Sequence, residues 1–320
     1  MDKAKNTMNQ YGKEGTPFLF VIDFKMKAPL VYKLDALPTA ILYDVNGVKN
    51  YEPIEIAQQE FYLNKFPKSI DKYTIAYEKV LENLRYGNSY LVNLTQPTKI
   101  ETNLSLKDIF YRSSAKYKLY YQDNFVVFSP EIFIKITNGI ITSYPMKGTI
   151  DAAIKDAEKI ILHDAKETAE HYTIVDLIRN DLSMVAKNVK VDRFRYIDHL
   201  KTSEKHLLQV SSQISGKLPS DYQHTIGDII CKLLPAGSIS GAPKKKTIEI
   251  IDEVEGYDRG YYTGIFGIFD GKNLDSGVMI RFIEKDGADM YYKSGGGITI
   301  NSVAENEYNE LIDKVYVPFA

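Results

Sequence analysis

A single lysine in the middle of the chain has the setting of a directed nucleophile. Lys147 lies in the run 143–149, which reads Ser-Tyr-Pro-Met-Lys-Gly-Thr. A strand pattern ends there, and the proline and the glycine restrict the backbone that carries the amine. A lysine can attack a substrate only when part of it is neutral, which desolvation or a neighbouring cation arranges by lowering its pKa. The run by itself is more typical of a surface lysine after a strand.

Two pairs of glutamates, each spaced by three residues, offer oxygen ligands. Glu167 and Glu170 lie in one helical pattern, and Glu307 and Glu310 lie in another. Residues three apart share a helix face, so each pair can point to one place. Four carboxylates that meet repel one another unless a cation neutralises them, and such a set suits Mg²⁺. Either pair alone is more typical of an exposed helix face, so the metal site needs both pairs.

Two glycine-rich segments are candidate anion sites. Residues 235–244 read PAGSISGAPK and precede a helical pattern from about Lys245, so backbone N–H groups and the Ser240 hydroxyl could meet a carboxylate or a phosphate. Residues 294–299 read SGGGIT and lie between a strand pattern and a helix pattern, where a ligand can approach the backbone closely. For each segment alone, a tight turn is the simpler interpretation.

One arginine lies inside an apolar strand pattern. Arg281 belongs to the run 277–283, and a guanidinium that points inward from such a strand needs an anionic partner. Its planar fork suits a carboxylate. His206 and Tyr262 are compatible with ordinary polar residues of a core, and Cys231 with apolar packing.

Short turn signals separate the runs that are rich in β-branched and aromatic residues. Asn46-Gly47, Asn138-Gly139 and the segment 270–273 each have the composition of a hairpin turn. Hairpins produce antiparallel sheets, and the helical patterns are grouped between them. The order of elements therefore predicts an α+β fold in which antiparallel sheets pack with flanking helices.

Three longer helices are predicted from apolar residues at helical spacing. They cover about residues 71–85, 166–185 and 303–315. Ser302 and Glu305 have the spacing of a capping box at the start of the last helix. The first helix ends at Gly87. These helices and the strands before them must position the lysine and the glutamates.

Composition excludes several classes of protein. The chain has 320 residues, of which 44% are hydrophobic, so it can bury a large core. Its 40 basic residues nearly balance its 42 acidic residues, which argues against a general nucleic-acid surface. Specific recognition of a small molecule remains open.

The cysteine count and the apolar runs indicate a cytoplasmic protein. With Cys231 alone, an intramolecular disulfide and a cysteine-rich zinc site are both excluded, and a reducing compartment is expected. The apolar run 18–22 is too short to cross a bilayer, and the polar residues before it lack the apolar core of a signal peptide. We expect no membrane association.

The chain is predicted to consist of a short β-rich N-terminal segment and one catalytic domain. Residues 1–66 would complete the sheet of the domain at 67–320. The polar segment 58–69, which carries Pro67, is the candidate boundary, although a loop within one domain has the same composition.

Taken together, these motifs resemble those of the chorismate-utilising enzymes, and most of all the aminodeoxychorismate synthase component I branch. The similarity runs in order through about residues 70–320. The segments that carry it are GNSYLVNLT at 87–95, SPE at 129–131, YPMKGT at 144–149, KETAEHYTIVDLIRNDL at 166–182, PAGSISGAPK at 235–244, RGYYTGIFG at 259–267, residues 278–281 and residues 295–314.

The resemblance implies a role for each candidate residue. Lys147 would be the nucleophile and Glu131 a general acid and base. Mg²⁺ would be bound by Glu170 and Glu310, with Glu167 and Glu307 beside them. The residues that would bind the substrate are Gly148, Thr149, His206, Ser240, Tyr262, Arg281, Gly295, Gly296, Gly297 and Lys314.

The resemblance also implies an activity. The chain would convert chorismate and ammonia to 4-amino-4-deoxychorismate, on the route to 4-aminobenzoate and folate, through an intermediate covalently linked to Lys147. Cys231 does not lie in a Gly-x-Cys-x-Gly elbow, so a separate class I glutamine amidotransferase is expected to supply the ammonia. The alternatives are an anthranilate synthase component I, an isochorismate or salicylate synthase, and a non-catalytic chorismate-binding protein.

Overall fold

Two antiparallel β-sheets, flanked by helices, form the framework that positions the candidate residues. The computed structural model describes residues 1–54, 60–201 and 206–319. Within these ranges the strands are β1 (Phe18–Ile22), β2 (Leu30–Lys33), β3 (Ile41–Val45), β4 (Val48–Lys49), β5 (Leu63–Phe66), β6 (Leu91–Thr102), β7 (Tyr117–Tyr121), β8 (Phe125–Ser129), β9 (Ile132–Thr137), β10 (Ile140–Ser143), β11 (Met146–Asp151), β12 (Lys187–Lys201), β13 (His206–Lys217), β14 (Gly241–Ala242), β15 (Ile265–Phe269), β16 (Leu274–Val278), β17 (Phe282–Asp286) and β18 (Asp289–Ile298).

The first sheet has the order β11-β13-β10-β9-β16-β15-β1-β2, and β12 pairs with β13. The second has the order β14-β6-β18-β17-β8-β7-β3-β4, and β5 pairs with β6. All the strand pairs of the described residues are antiparallel. The predicted α+β class with antiparallel sheets is therefore confirmed.

The helices that the structure describes are α1 (Asp2–Glu14), α2 (Ile70–Arg85), α3 (Leu106–Arg112), α4 (Ala157–His163), α5 (Ala165–Ser183), α6 (Ile226–Leu233), α7 (Gly237–Ser240), α8 (Lys244–Val254) and α9 (Ala304–Asp313). The three longer helices predicted from apolar spacing correspond to α2, α5 and α9 within two residues at each end. Helix α2 shows why the prediction succeeded, because Tyr73, Tyr77 and Leu84 on its one apolar face are all buried.

The predicted turns are confirmed, whereas the predicted helix cap is wrong. Asn46-Gly47 joins β3 to β4, and Asn138-Gly139 joins β9 to β10, with positive φ at all four residues as such hairpin turns require. The cap residue of α9 is Val303, which has no side-chain oxygen. Ser302 instead accepts a hydrogen bond from the Thr299 N–H at 3.1 Å, so its hydroxyl stabilises the preceding turn.

The N-terminal residues contribute strands to both sheets. Strand β1 pairs with β15 in the first sheet, and β3 pairs with β7 in the second. Part of the predicted boundary at 58–69 lies outside the described residues, and its later part forms β5, which pairs with β6. The division at residue 66 stays a prediction.

The two sheets approach each other where β11, an edge strand of the first, faces β18, an interior strand of the second. Helix α5 contacts β11, and helix α9 contacts β18. Apolar residues from both sheets and from these helices share one buried cluster, which includes Ile134, Ile174, Ile298 and Leu311. This packing fixes α5 and α9 on either side of the space between the sheets. In the described parts of the chain, no helix is both long and apolar enough to cross a membrane.

Candidate active site

A cavity of about 480 Å³ lies between β11 and β18, within the roughly 300–1,000 Å³ typical of small-molecule sites. It brings together fourteen of the sixteen predicted site residues. These are Glu131, Lys147, Gly148, Thr149, Glu167, Glu170, Tyr262, Arg281, Gly295, Gly296, Gly297, Glu307, Glu310 and Lys314. Ser240 and His206 do not line it.

Lys147 enters the cavity from β11. The pairing of β11 with β13 shifts register between Met146 and Thr149, and Gly148 in this bulge has φ 82°. A bulge re-aims the side chain beside it. The Lys147 ammonium lies 3.1 Å from Glu170 Oε2. Across the cavity it approaches Gly297 so closely that a Cβ on that glycine would lie 3.1 Å from Nζ.

The surroundings of Lys147 favour its charged form over the neutral amine that a nucleophile needs. Burial favours the neutral form, but the carboxylates of Glu170, Glu167 and Glu310 outweigh it and raise the pKa of Lys147 above its ordinary value. In this structure the amine is therefore a charged partner of Glu170. It must lose a proton before it can act as a nucleophile.

The two glutamate pairs face the same cavity from opposite helices. Glu167 and Glu170 are on α5, and Glu307 and Glu310 are on α9. Lys147 forms an ion pair with Glu170. Lys314 forms one with Glu310, with 2.6 Å between Nζ and Oε1. Among the described residues, no three metal-ligating side chains are close enough to hold an ion as they stand. Carboxylate oxygens are nevertheless the ligands that Mg²⁺ prefers, so the donor set fits this metal, and its binding stays a prediction.

Arg281 lies at the crossover between the two sheets. It was predicted inside a strand, but β16 of the first sheet ends at Val278 and β17 of the second begins at Phe282. The backbone turns between them, and Arg281 has φ 51°. A left-handed arginine is unusual, and here it directs a guanidinium into the cavity.

No carboxylate of the described residues forms an ion pair with Arg281. Its guanidinium lies 5.2 Å from the ring centroid of Tyr316, and its buried Nε has no hydrogen-bond partner in the described structure. A buried cation without an anion is unfavourable. The cavity therefore contains a fork that is ready to bind the carboxylate of a ligand.

The glycines of β18 allow the cavity to exist at this strand. A Cβ on Gly295 would lie 2.4 Å from the Leu94 carbonyl oxygen, so β6 excludes any other residue there. A Cβ on Gly296 would lie 3.4 Å from Glu307 Oε2. Lys314 completes this wall, because its ammonium donates to the Gly295 carbonyl at 2.9 Å.

Glu131 follows β8 and has a serine as its hydrogen-bond partner. The Ser238 hydroxyl donates to Glu131 Oε1. Burial raises the pKa of Glu131, although Ser238 and the cations Lys147 and Arg281 oppose the shift. A raised pKa keeps part of the carboxyl protonated, as a general acid requires.

The prediction chose the wrong serine of the glycine-rich segment. Ser240 is fully buried and donates its hydroxyl to the Ala236 carbonyl at 2.9 Å within the turn. Ser238, two residues earlier, lines the cavity. The composition of the segment marked the region, but which hydroxyl faces the cavity depends on the short helix α7.

His206 is likewise displaced from the predicted position. It begins β13 as an exposed residue, and its Nε2 lies 3.3 Å from Nδ1 of His199. Gln209 on the same strand lines the cavity instead. Side chains alternate along a strand, so residues three apart point to opposite faces.

The sequence prediction also missed residues that contribute to the cavity wall. Asn93 on β6 and Lys293 on β18 both line it. Asn93 donates to the Ile239 carbonyl at 2.9 Å, and Arg259 donates to the same carbonyl at 3.0 Å. A polar residue within an apolar strand was the signal that could have identified Asn93.

A protein-family model described as chorismate binding enzyme matches residues 34–319. An uncharacterized PabA-like protein of Haemophilus influenzae is 53% identical over 97% of this chain and 94% of its own length. An anthranilate synthase component 1 of Acetivibrio thermocellus is 36% identical over 74% of this chain and 50% of its own. An aminodeoxychorismate synthase component 1 of Bacillus subtilis is 31% identical over 78% and 55%.

Solved structures show the same architecture. Anthranilate synthase component I of Streptococcus pneumoniae superposes with a TM-score of 0.67 at 26% identity, covering 81% of this chain and 60% of that one. The menaquinone-specific isochorismate synthase of Escherichia coli superposes with a TM-score of 0.74 at 15% identity, covering 98% and 80%, which is a similarity of fold alone.

Proposed function

The chain belongs to the family of chorismate binding enzymes, and we propose that within it the protein is an aminodeoxychorismate synthase component I. It would convert chorismate and ammonia to 4-amino-4-deoxychorismate. The observation that carries this proposal is the amine of Lys147 inside the cavity. A nucleophilic lysine gives an enzyme a covalent route to replace a poor leaving group, and a binding protein has no use for one.

The cavity offers complementary groups for both carboxylates of chorismate. The Arg281 guanidinium and the backbone N–H groups near Gly296 would hold the enolpyruvyl carboxylate. The side chains of Glu167, Glu170, Glu307 and Glu310 would hold Mg²⁺, which when bound would neutralise their charge and attract the ring carboxylate. Fixing both ends of the substrate supplies rate by positioning.

The reaction then needs one base, one nucleophile and one acid. Lys147 gives up its proton to solvent and forms a bond from Nζ to ring carbon C2. The ring double bond shifts, the C4–O bond breaks, and Glu131 transfers its proton to the departing hydroxyl, which leaves as water. Ammonia bonds to C4, the double bond returns, and the C2–N bond breaks, so that Lys147 leaves as a neutral amine. The new ammonium group at C4 then gives a proton to the Glu131 carboxylate. The net change replaces a hydroxyl by an amine.

A separate glutamine amidotransferase is the proposed source of ammonia. Cys231, the one cysteine of the sequence, lies on α6 and not in a nucleophile elbow. Burial raises its pKa to about 11, so little thiolate forms near neutral pH. We therefore expect that the purified chain uses ammonium salts but releases no glutamate from glutamine.

Product analysis tests the proposal. The native chain, incubated with chorismate, Mg²⁺ and an ammonium salt, should form aminodeoxychorismate, as identified by chromatography and mass spectrometry. Lys147→Ala should lower the rate by at least about 10³-fold, because the covalent route is lost. Lys246→Ala is the matched control, since this exposed lysine only pairs with Glu249 on α8 and should leave the rate unchanged.

The alternatives give different products in the same assay. Fluorescent anthranilate would identify an anthranilate synthase, and isochorismate or salicylate formed without ammonia would identify a branch of the family that uses water in place of ammonia. Tight binding of chorismate without formation of any product would identify a binding protein. Unchanged aminodeoxychorismate formation by Lys147→Ala would refute the covalent role while leaving the activity intact.

A further inference from the structure

The two oxygens of the Glu131 carboxyl have unequal surroundings. Oε1 accepts a hydrogen bond from the Ser238 hydroxyl. In the described part of the chain, no second side chain or backbone group forms a hydrogen bond with this carboxyl. Oε2 is therefore the oxygen that remains available to a ligand. A carboxyl that holds one oxygen in a hydrogen bond donates its proton from the other oxygen.

Ser238 is itself held in place from two sides. The next residue, Ile239, has its carbonyl bound by Asn93 Nδ2 at 2.9 Å and by Arg259 Nη1 at 3.0 Å. Ser240 closes the turn through its bond to the Ala236 carbonyl. The hydroxyl of Ser238 is thus presented by a rigid turn, as positioning of a reacting group requires.

Glu131 has an alternative direction that the serine prevents. Glu131 and Ser238 line not only the main cavity but also a smaller one behind it, whose other walls include Ile134, Ile178 and Leu233. The hydrogen bond therefore spans the wall between the two cavities. Without it, the carboxyl could turn towards the smaller cavity and away from the reacting carbon.

We propose that Ser238 is a positioning residue that orients Glu131 as the proton donor of the reaction. This inference rests on the proposed function. Ser238 holds Oε1, and Oε2 delivers its proton to the departing C4 hydroxyl. As that proton leaves, negative charge develops on the carboxylate, and the hydrogen bond to Oε1 strengthens at the moment of reaction.

The direction of the Glu131 pKa agrees with this assignment. Burial raises the pKa and favours the acid form, and the Ser238 hydrogen bond lowers it. Removing the hydroxyl should raise the pKa further, so the acid would be a poorer donor as well as a misdirected one. A serine that served only the fold would not change the titration of Glu131.

The test compares three variants. Ser238→Ala should lower kcat about tenfold with little change in KM, which corresponds to the loss of one hydrogen bond to a charged group. It should also move the decline of activity at high pH to a higher pH, because Glu131 stays protonated longer. Ser238→Thr, which keeps a hydroxyl, should restore both properties. Ser183→Ala removes an exposed hydroxyl that donates to the Arg179 carbonyl on α5, and it should keep the native pH limb.

A second measurement needs no substrate. ¹³C-labelled glutamate, with Glu131→Gln to assign the signal, gives the titration of the Glu131 carboxyl by NMR. Ser238→Ala should shift that titration upwards, and Ser183→Ala should not. An unmoved titration or an unmoved pH limb in Ser238→Ala overturns the inference. If the native chain makes no aminodeoxychorismate, the proposed function fails, and the NMR comparison still decides whether Ser238 controls Glu131.

Discussion

Two arginines of the C-terminal third of the chain, Arg259 and Arg281, have opposite surroundings in the folded protein. Arg259 is 1% exposed and donates to both carboxylate oxygens of Glu255, at 2.6 and 2.8 Å. It also donates to the Asn93 and Ile239 carbonyls, at 2.6 and 3.0 Å. Arg281 has an aromatic ring beside it, a buried Nε without a partner and no ion pair among the described residues.

The difference separates a structural charge from a binding charge. The partners of Arg259 are supplied by the chain, so folding already offsets its desolvation. The partner of Arg281 must come from elsewhere. The guanidinium of Arg281 is partly exposed and its buried Nε has no partner in the described structure, so a carboxylate ligand that binds it gains affinity.

The largest expected effect is on stability at Arg259. Arg259→Met leaves Glu255 buried without its cation and removes one donor each from the Asn93 and Ile239 carbonyls. Removing one partner of a buried ion pair typically destabilises a protein by about 3–5 kcal/mol. Urea denaturation, followed by circular dichroism, measures this loss in the free energy of unfolding.

The double variant Glu255→Met/Arg259→Met is the matched control. It removes both charges at once, so it should be less destabilised than the sum of the two single variants. Strict additivity would mean that the two side chains do not act as a pair.

The next effect is on binding at Arg281. Arg281→Met should weaken equilibrium binding of chorismate about 100-fold, the order expected for hydrogen bonds to a charged group. Its free energy of unfolding should change by less than about 1 kcal/mol, because no carboxylate loses a partner. Equilibrium dialysis measures the first quantity and urea denaturation the second.

Lys99→Met is the control, because Lys99 is a cation at the surface of the second sheet. Lys99 pairs with Asp289 and is 41% exposed, so neither quantity should change appreciably. Equal destabilisation by Arg281→Met and Arg259→Met would remove the distinction between the two arginines.

The smallest expected effect is on stability at Lys118. Among the described residues this buried cation forms no ion pair, and it does not line the main cavity. Lys118 is 5% exposed, donates to the Ser113 carbonyl at 2.8 Å and lies 4.8 Å from the ring centroid of Phe110. Burial lowers its pKa to about 8. Between pH 8 and 10.5 the unfolded chain binds more protons than the folded one, so this group makes stability rise with pH in that window.

Lys118→Met should remove that rise. The free energy of unfolding of the variant, minus that of the native chain, should be larger at pH 7 than at pH 10 by on the order of 2 kcal/mol. Urea titrations at the two pH values measure the difference. A pH-independent difference would show that burial does not penalise this ammonium.

Much of the fold could be predicted because its signals are local. The apolar spacing of α2 and the Asn-Gly turns at 46–47 and 138–139 determine backbone geometry within a few residues. The predicted cap of α9 was wrong because local signals can also compete: Ser302 accepts a hydrogen bond from the Thr299 N–H instead. Neighbouring residues competed for one hydroxyl, and spacing did not rank them.

The candidate site was predicted less completely, because its geometry is non-local. Arg281 was correctly identified as a cation in need of an anion, but not as the crossover between two sheets. His206 and Ser240 were chosen by motif, whereas Gln209 and Ser238 line the cavity. Each of these outcomes depends on which face of a strand or turn meets an element far away in the sequence.

The sequence by itself determined which chemical groups are available: one lysine after a strand, two Glu-x-x-Glu helices, a glycine strand and an arginine in an apolar setting. The tertiary structure alone decided how these groups are paired and oriented. Lys147 is paired with a carboxylate because α5 places Glu170 3.1 Å from it, and Glu131 is oriented because α7 places Ser238 against one oxygen. Charge and direction depend on distances across the fold, since electrostatic interactions and desolvation act through space and not along the chain.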